Sequence, residues 1–194
     1  MKKCLILLFL IPYSLSLLAQ PAAPMGRQDS AGFTDKSEAK NQMVDSAKDG
    51  KWCEYLNDSL KIVNDTNAPH YVLITYKAGK PNGMKRIYRK DGKLEREIPY
   101  TDGVINGIER TYFKNGKLQH EHPYTNGKLN INGVSREYAD NGQLVEEIPY
   151  TNGQVNGTVK EFYKSGQLMT IAKYTNGEQT DTTSFDENGN VMKE

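Results

Sequence analysis

The sequence predicts an all-β protein: a single-layer antiparallel sheet of stacked β-hairpin repeats, preceded by a signal peptide and a polar linker. Three observations predict this fold. The 194 residues include 12 tyrosines and 17 glycines but only 5 phenylalanines and 1 tryptophan, which favours a thin sheet over a thick three-layer core. Aromatic residues recur at a spacing of twelve. Asn-Gly and Asp-Gly pairs fall between short alternating runs, as in β-hairpins.

The charge balance excludes one class of function. The chain carries 25 Lys and Arg against 24 Asp and Glu, a formal net charge of +1, and it has no long basic block. Proteins that bind a nucleic-acid backbone need a concentrated basic surface. The sequence therefore predicts no nucleic-acid partner.

The N-terminal residues 1–19 have the pattern of a secretory signal peptide. Lys2 and Lys3 precede an apolar run at 4–18, and Ala19 supplies a small residue for cleavage. The run is shorter than the roughly 20 residues that cross a membrane as a helix; an uncleaved N-terminal anchor is the alternative. We expect cleavage after Ala19 and export to a periplasm or to the outside of the cell.

Two segments separate the signal peptide from the repeats. Residues 20–49 are rich in Ala, Pro, Asp, Lys, Ser and Gln, and they predict a polar, disordered linker with at most a marginal helix at 37–48. Residues 50–75 contain a β run at 71–76 and the bulky Trp52. We interpret them as a degenerate capping repeat that closes the open end of the array.

Cysteine content excludes an internal disulfide. After cleavage Cys53 is the single cysteine, although an exported protein could keep such a bond. No Cys-His pair or Cys-x-x-Cys motif accompanies it, so we expect a small buried side chain rather than a nucleophile.

Residues 76–190 are hairpin repeats with a unit of 24 residues. Each unit reads Tyr-x-x-Gly, Asn-Gly, a short strand, an aromatic residue, a second Gly-containing turn with a following Leu, and a second strand. The units begin at Tyr76, Tyr100, Tyr124 and Tyr150, with a truncated fifth at Tyr174. One aromatic spacing is fourteen instead of twelve, and the two extra residues fall at 130–133, in a predicted turn that tolerates an insertion.

The strand register follows from parity, because directly opposed residues of an antiparallel pair face the same side. Tyr88 opposite Leu94 makes residues 90–92 a three-residue loop with Gly92 in the left-handed conformation. The same register predicts the pairs Tyr112 with Leu118, Tyr138 with Leu144, Phe162 with Leu168, Ile108 with His122, Val134 with Ile148, and Thr158 with Ala172. One face is then aromatic and aliphatic. The opposite face carries the charged residues Lys85, Glu97, Glu109, Glu121, Glu147 and Glu161.

The turns at 100–118 and 150–168, Tyr-Thr-[Asn/Asp]-Gly-x-x-Asn-Gly followed by an aromatic residue and [Asn/Ser]-Gly-x-Leu, resemble the MORN-variant repeats of bacterial proteins of the YwqK-type "antitoxin" family. The resemblance covers about residues 76–190. It implies a repeat fold that serves as a scaffold, as a protein-binding surface or, in eukaryotic MORN proteins, in association with lipid. The family label also implies a toxin as partner.

A basic row is the candidate site. Basic residues lie two positions before the aromatic residue of each unit, on the same predicted face. Guanidinium groups beside aromatic rings suit carboxylates or phosphates of a partner. The candidate partner-binding face is therefore Arg86, Tyr88, Arg110, Tyr112, Arg136, Tyr138, Lys160 and Phe162. The alternative is that the long basic stems cover apolar surface and pair with neighbouring glutamates.

Other reactive constellations are weak. His120 and His122 would point to one face and could bind a metal, and the recurring glutamates Glu97, Glu121 and Glu147 could form a glycosidase pair. Each of these residues occupies a repeat position, so substitution within a repeat is the simpler interpretation. No phosphate loop, dinucleotide fingerprint or Gly-x-Ser-x-Gly motif occurs. We therefore predict no catalytic, cofactor-binding or metal-binding residues.

These observations predict an exported, non-enzymatic repeat protein that binds or scaffolds an unknown protein partner. A toxin-neutralising protein and a module that binds anionic lipid or cell-envelope glycan are the alternatives. Self-association through the sheet edges near Trp52 and Phe185 also fits, because an unpaired strand is a template for a second chain.

Overall fold

The computed structural model describes residues 32–192; the predicted signal peptide and residues 20–31 of the predicted linker lie outside the described residues. Within residues 32–192, a 3-10 turn at Lys36–Glu38 precedes one sheet of 17 strands. The strands are β1 (Gln42–Val44), β2 (Ala47–Leu56), β3 (Ile62–Val63), β4 (His70–Lys77), β5 (Lys80–Pro81), β6 (Gly83–Arg89), β7 (Leu94–Thr101), β8 (Val104–Ile105), β9 (Gly107–Tyr112), β10 (Leu118–Thr125), β11 (Lys128–Leu129), β12 (Gly133–Tyr138), β13 (Leu144–Thr151), β14 (Gln154–Val155), β15 (Gly157–Phe162), β16 (Leu168–Thr175) and β17 (Glu178–Ser184). No helix in this part of the chain is long and apolar enough to cross a membrane.

Each long strand pairs antiparallel with the long strands before and after it in the chain. β2 pairs with β4, β4 with β6, β6 with β7 and β7 with β9, and the same order continues to β17. The short strands β5, β8, β11 and β14 each follow a tight turn and pair with the end of the long strand before it. This topology confirms the predicted all-β antiparallel sheet of hairpin repeats.

Two-residue turns stack on one another along one edge of the array. Asp102 and Gly103 have φ of 48° and 89°, the paired positive values of a type I′ turn, which favours Asn or Asp followed by Gly. The Gly103 N–H donates to the carbonyl of Pro81 in the preceding turn at 2.8 Å, and Gly127 donates to Ile105 in the same way. Consecutive repeats are therefore joined by hydrogen bonds between turns as well as by strand pairing.

The predicted three-residue loops are confirmed at the other edge. The Arg89 N–H donates to the Lys93 carbonyl at 2.9 Å and encloses residues 90–92, and Gly92 has a φ of 83°. Tyr88 lies opposite Leu94, and the other three aromatic–leucine pairs are also as predicted. The two-residue insertion at 130–133 lies between β11 and β12, as the spacing predicts.

Beyond the first pair of each hairpin, the predicted register is wrong by one residue. Tyr88 lies opposite Leu94, but Ile87 lies opposite Arg96, so that Glu95 is an extra residue in a β-bulge. The other hairpins have the same shift at Gln119, Val145 and Met169. The outer pairs are consequently Ile108 with Pro123, Val134 with Pro149, and Thr158 with Lys173.

The bulge exchanges the two faces for half of each hairpin, because side chains alternate along a strand. Glu97, Glu121 and Glu147 lie opposite Arg86, Arg110 and Arg136, so they share the face of the basic and aromatic residues, contrary to the prediction. We call this side the Arg/Tyr face. The other side, the opposite face, carries Lys85, Glu109 and Glu161 as predicted, together with Ile98, His122, Ile148 and Ala172.

The apolar core lies at the first strands, on both sides of the sheet. The cluster on the opposite face consists of Leu56, Val72, Ile74, Ile87 and Ile98. The cluster on the Arg/Tyr face consists of Phe33, Cys53, Leu73 and Tyr88. Trp52 contacts Tyr76 edge to face at a ring-centroid distance of 5.9 Å, and both rings pack against the first cluster.

Residues 33–49 differ from the predicted disordered linker. Phe33 is buried in the core, and β1 pairs with β2, which already begins at Ala47. The Asn41 side chain receives the Cys53 N–H at 2.8 Å and donates to the Cys53 carbonyl at 3.1 Å. The segment is held in place because it supplies hydrogen bonds to the outer edge of β2 and an aromatic ring to the core. At Tyr55 that edge is paired with β3.

Candidate binding face

The sheet brings the eight predicted partner-binding residues together on the Arg/Tyr face. Strand pairing places the basic residues in one row with the glutamates between them, and the aromatic residues lie two positions along each strand. We call the first row the charge row: Arg86, Glu97, Arg110, Glu121, Arg136, Glu147 and Lys160. Acidic and basic residues alternate along the whole row, which the sequence analysis predicted as a row of basic residues alone.

Within each hairpin, the arginine forms an ion pair with the glutamate opposite. Arg86 Nε lies 2.8 Å from Glu97 Oε1 and Arg110 Nε lies 2.8 Å from Glu121 Oε1. The third hairpin repeats the contact between Arg136 and Glu147 at 2.9 Å. Such charge-assisted hydrogen bonds are stronger than neutral ones. The guanidinium groups are therefore engaged within the sheet, which is the outcome that the alternative interpretation of the basic row predicts.

Contacts also connect neighbouring hairpins along the row. The Tyr112 hydroxyl donates to Glu97 Oε2 at 2.7 Å and the Tyr138 hydroxyl donates to Glu121 Oε2 at 3.3 Å. Burial, followed by the charge of the accepting glutamate, raises the pKa of both tyrosines. Arg136 also lies 3.7 Å from Glu121. The tyrosines therefore remain protonated donors, and each glutamate joins its own hairpin to the next.

The last hairpin ends this network. Its residues at the corresponding positions are Lys160, Phe162 and Ile171 in place of Arg, Tyr and Glu. Phe162 has no hydroxyl to donate, and Ile171 has no carboxylate to accept. The Lys160 Nζ lies 3.5 Å from Glu147 and its side chain is 44% exposed. The sheet thus ends, on this face, in an apolar patch beside a partly exposed cation.

The first hairpin is covered by the chain itself. Phe33 packs against Cys53, Leu73 and Tyr88, and Arg86 donates to the Phe33 carbonyl at 3.2 Å. The Tyr88 ring stacks on Tyr71 at a centroid distance of 5.0 Å. Arg86 and Tyr88 are therefore part of the folded core, which excludes them from an open binding face.

From β9 onward the Arg/Tyr face is more open. The Arg86 side chain is 14% exposed, whereas those of Arg110 and Arg136 are 34% and 33% exposed. Half-exposed apolar residues border the charge row on both sides: Ile108, Val134, Tyr112, Leu118, Tyr138, Leu144, Phe162 and Leu168. Their combination with neutralised charges provides a flat surface with apolar contacts and few strongly hydrated groups.

The two histidines lie on the opposite face. Their rings stack at a centroid distance of 5.5 Å, and His120 Nδ1 lies 2.9 Å from the Thr111 hydroxyl. Burial, followed by the charge of His120, lowers the pKa of His122. Among the described residues, no group of three or more His, Cys, Asp or Glu side chains could hold a metal ion. Both rings are accounted for by stacking and contacts with neighbouring side chains.

Sequence reasoning missed the glutamates of the charge row and the covering segment. A bulge in the second strand has no signal in residue parity, although the recurring spacing of eleven between Arg86 and Glu97, and between Arg110 and Glu121, fits an ion pair across a hairpin. The single aromatic residue of the segment at 32–49, Phe33, is the signal that could have identified the covering segment.

The topology and the recurring contacts define a protein of stacked β-hairpin repeats. Comparison with protein families agrees: residues 105–129, 131–152 and 155–176 match the MORN repeat variant. This part of the chain thus consists of three consecutive MORN-variant repeats, within the range that the resemblance predicted. A comparison with curated proteins finds no match.

Proposed function

We propose that this protein is a non-enzymatic binding module that contacts a protein partner through the Arg/Tyr face between β9 and β16. The observation that carries the proposal is the contrast in exposure along this face. The chain's own Phe33 covers the face at Leu73 and Tyr88, whereas Ile108 and the charge row beyond it are one-third exposed or more. Half-exposed aromatic and aliphatic side chains favour protein contacts.

A protein partner suits these contacts better than an anionic lipid or glycan. Binding to an anionic surface needs free cations, but Arg110 and Arg136 are each held by a glutamate at 2.9 Å or less. The same pairing allows the row to be covered by a partner without leaving a buried unpaired charge. A neutralised toxin would be one kind of protein partner, and the identity of the captured protein tests that possibility.

We further propose that the protein acts after export. The support is the pattern of residues 1–19, in which Lys2 and Lys3 precede an apolar run and Ala19. N-terminal sequencing of the protein isolated from its native cell should give Gln20 as the first residue. A mature protein that still begins at Met1 would contradict cleavage.

Capture of the partner from the exported fraction tests the binding face. The variant Ile108→Asp/Val134→Asp places two carboxylates beside the charge row and leaves its ion pairs intact. The control Val104→Asp/Leu129→Asp adds the same charge at exposed apolar residues next to the turns. We expect one protein to be captured by the wild type and the control and lost with the face variant, and to bind again when purified.

Equal capture by both double variants would contradict the proposed face. Salt-sensitive pelleting with vesicles of anionic lipid, with no captured protein, would favour the lipid alternative. Circular dichroism of each variant distinguishes lost binding from lost folding.

A further inference from the structure

Two ends of the Arg/Tyr face have the same combination of side chains. At the first end, Leu73 lies opposite Arg86 and Tyr71 lies opposite Tyr88. At the last hairpin, Ile171 lies opposite Lys160 and Leu168 lies opposite Phe162. In both places a branched or γ-branched aliphatic residue faces a cation, and two large apolar residues form the next pair along the strands. We call the second set, Lys160, Phe162, Leu168 and Ile171, the end platform.

The first of these surfaces has an occupant whose contacts define its chemistry. Phe33 is 5% exposed and packs on Leu73 and Tyr88, while its carbonyl accepts from Arg86 at 3.2 Å. Three residues further on, the Lys36 Nζ lies 4.0 Å from the centre of the Tyr71 ring. An extended segment thus uses an aromatic side chain, a backbone carbonyl and a cation–π contact.

The end platform offers the same three contacts and is partly exposed. Phe162, Leu168 and Ile171 are each half-buried, and the Lys160 side chain is 44% exposed with one carboxylate at 3.5 Å. Its remaining N–H groups can donate to a carbonyl. The Phe162 ring can receive a cation. The charge row between the two surfaces lacks this character, because each of its inner positions holds an ion-paired residue.

We propose that the end platform binds an extended segment of a protein partner that presents an aromatic residue followed, three residues later, by a lysine or arginine. This inference rests on the proposed function and names the partner's chemistry. The aromatic ring lies against Leu168 and Ile171, its carbonyl accepts from Lys160, and the basic residue lies over Phe162. Residues 32–36 are the example of such a segment within this chain.

A peptide copy of residues 32–40, Gly-Phe-Thr-Asp-Lys-Ser-Glu-Ala-Lys with capped termini and a fluorescent label, is the probe. Its anisotropy is measured during titration with the full protein, whose first surface is already occupied by its own Phe33. We expect saturable binding at one site. A peptide with alanine in place of its phenylalanine should bind about tenfold more weakly or worse, since central aromatic anchors dominate such contacts.

Variants of the protein locate the probe. Ile171→Asp should weaken binding about tenfold or more, whereas Thr182→Asp, which adds the same charge on the opposite face of β17, should leave it unchanged. Lys160→Met keeps the stem and removes the donor, so it should weaken binding several-fold without disturbing the core. If Ile171→Asp fails to fold by circular dichroism, Lys160→Met still decides the question.

Two results would overturn the inference: no saturable binding of the probe up to about 1 mM, or equal binding to the wild type, Ile171→Asp and Lys160→Met. Its failure is distinguishable from that of the proposed function. A partner that is lost with Ile108→Asp/Val134→Asp but is indifferent to Ile171→Asp would retain the binding face and exclude the end platform.

Discussion

In β2 and β4, the central row of the Arg/Tyr face holds Cys53 and Leu73, which are buried beneath Phe33. From β7 to β13, the corresponding positions alternate between arginine and glutamate, and no part of the Phe33 cluster reaches them. The strand pairing is the same in both regions. The difference shows that one hairpin geometry can be stabilised either by apolar burial beneath a covering segment or by ion pairs and tyrosine hydroxyls on an open face.

The comparison predicts that stability is concentrated in the first region. Leu73→Ala removes a side chain with 0% exposure and should lower the free energy of unfolding by about 2–5 kcal/mol, through lost burial and the cavity left behind. Ile171→Ala, at the related position of the open region, should cost less because Ile171 is half-exposed. Denaturant unfolding of both variants provides the measurement. An equal loss from the two substitutions would contradict the division.

The covering segment itself provides the second test. Phe33→Ala should lower the free energy of unfolding by about 1.5–3 kcal/mol, the value for exposing a large apolar side chain, since the segment can move and leave no closed cavity. Hydrogen exchange should become faster at the Cys53 amide, which Asn41 holds at 2.8 Å, while amides of β13 and β15 keep their protection. Loss of protection throughout the sheet would show that the two regions unfold as one unit.

How far the sequence predicts this comparison depends on the kind of signal. Tyr88, Leu94 and Gly92 define the hairpin loop locally, and the structure confirms that loop. The bulge at Glu95 cannot be read from parity, because one extra residue reverses the face of everything after it. The prediction therefore separated Arg86 from Glu97, although they form an ion pair at 2.8 Å.

The covering segment was missed for a different reason. Residues 33–49 have few apolar residues, and composition alone therefore predicts disorder. Their order depends on one ring, Phe33, and on one side chain, Asn41, that replaces strand pairing at Cys53. Such long-range contacts have no local pattern. The openness of the face beyond β9 could be recognised only after this segment had been located.

Glu121 tests the ion-pair network of the open region. It accepts from Arg110 at 2.8 Å and from Tyr138 at 3.3 Å, and it lies 3.7 Å from Arg136. Glu121→Gln keeps the shape and removes the charge, and we expect a loss of about 0.5–1.5 kcal/mol in the free energy of unfolding. Asp181→Asn, in an exposed pair with Lys173, is the matched control and should have a smaller effect. No difference between the two would indicate that the network adds nothing to stability.

The opposite face provides the smallest expected effect. In the first region, the row there contains Ile87, Arg96 and Thr111, whereas in the later hairpins Glu146 lies directly opposite both Glu137 and Glu161. Like charges that face each other across strands are destabilising. Burial first, and then the charges of these two neighbours, raises the pKa of the Glu146 carboxyl.

The sign of the resulting pH dependence follows from linkage. A carboxyl whose pKa is raised on folding binds its proton more tightly in the folded state, so its charged form destabilises the protein at neutral pH and this cost disappears as the pH falls through the folded pKa. Glu146→Gln should therefore stabilise the protein by about 0.2–1 kcal/mol near neutral pH. The difference from the wild type should shrink as the pH is lowered from about 7 to about 4, as measured by denaturant unfolding. A difference that stays constant over this range would mean that the glutamate row is relieved by solvent and that the two regions do not differ in electrostatic cost on this face.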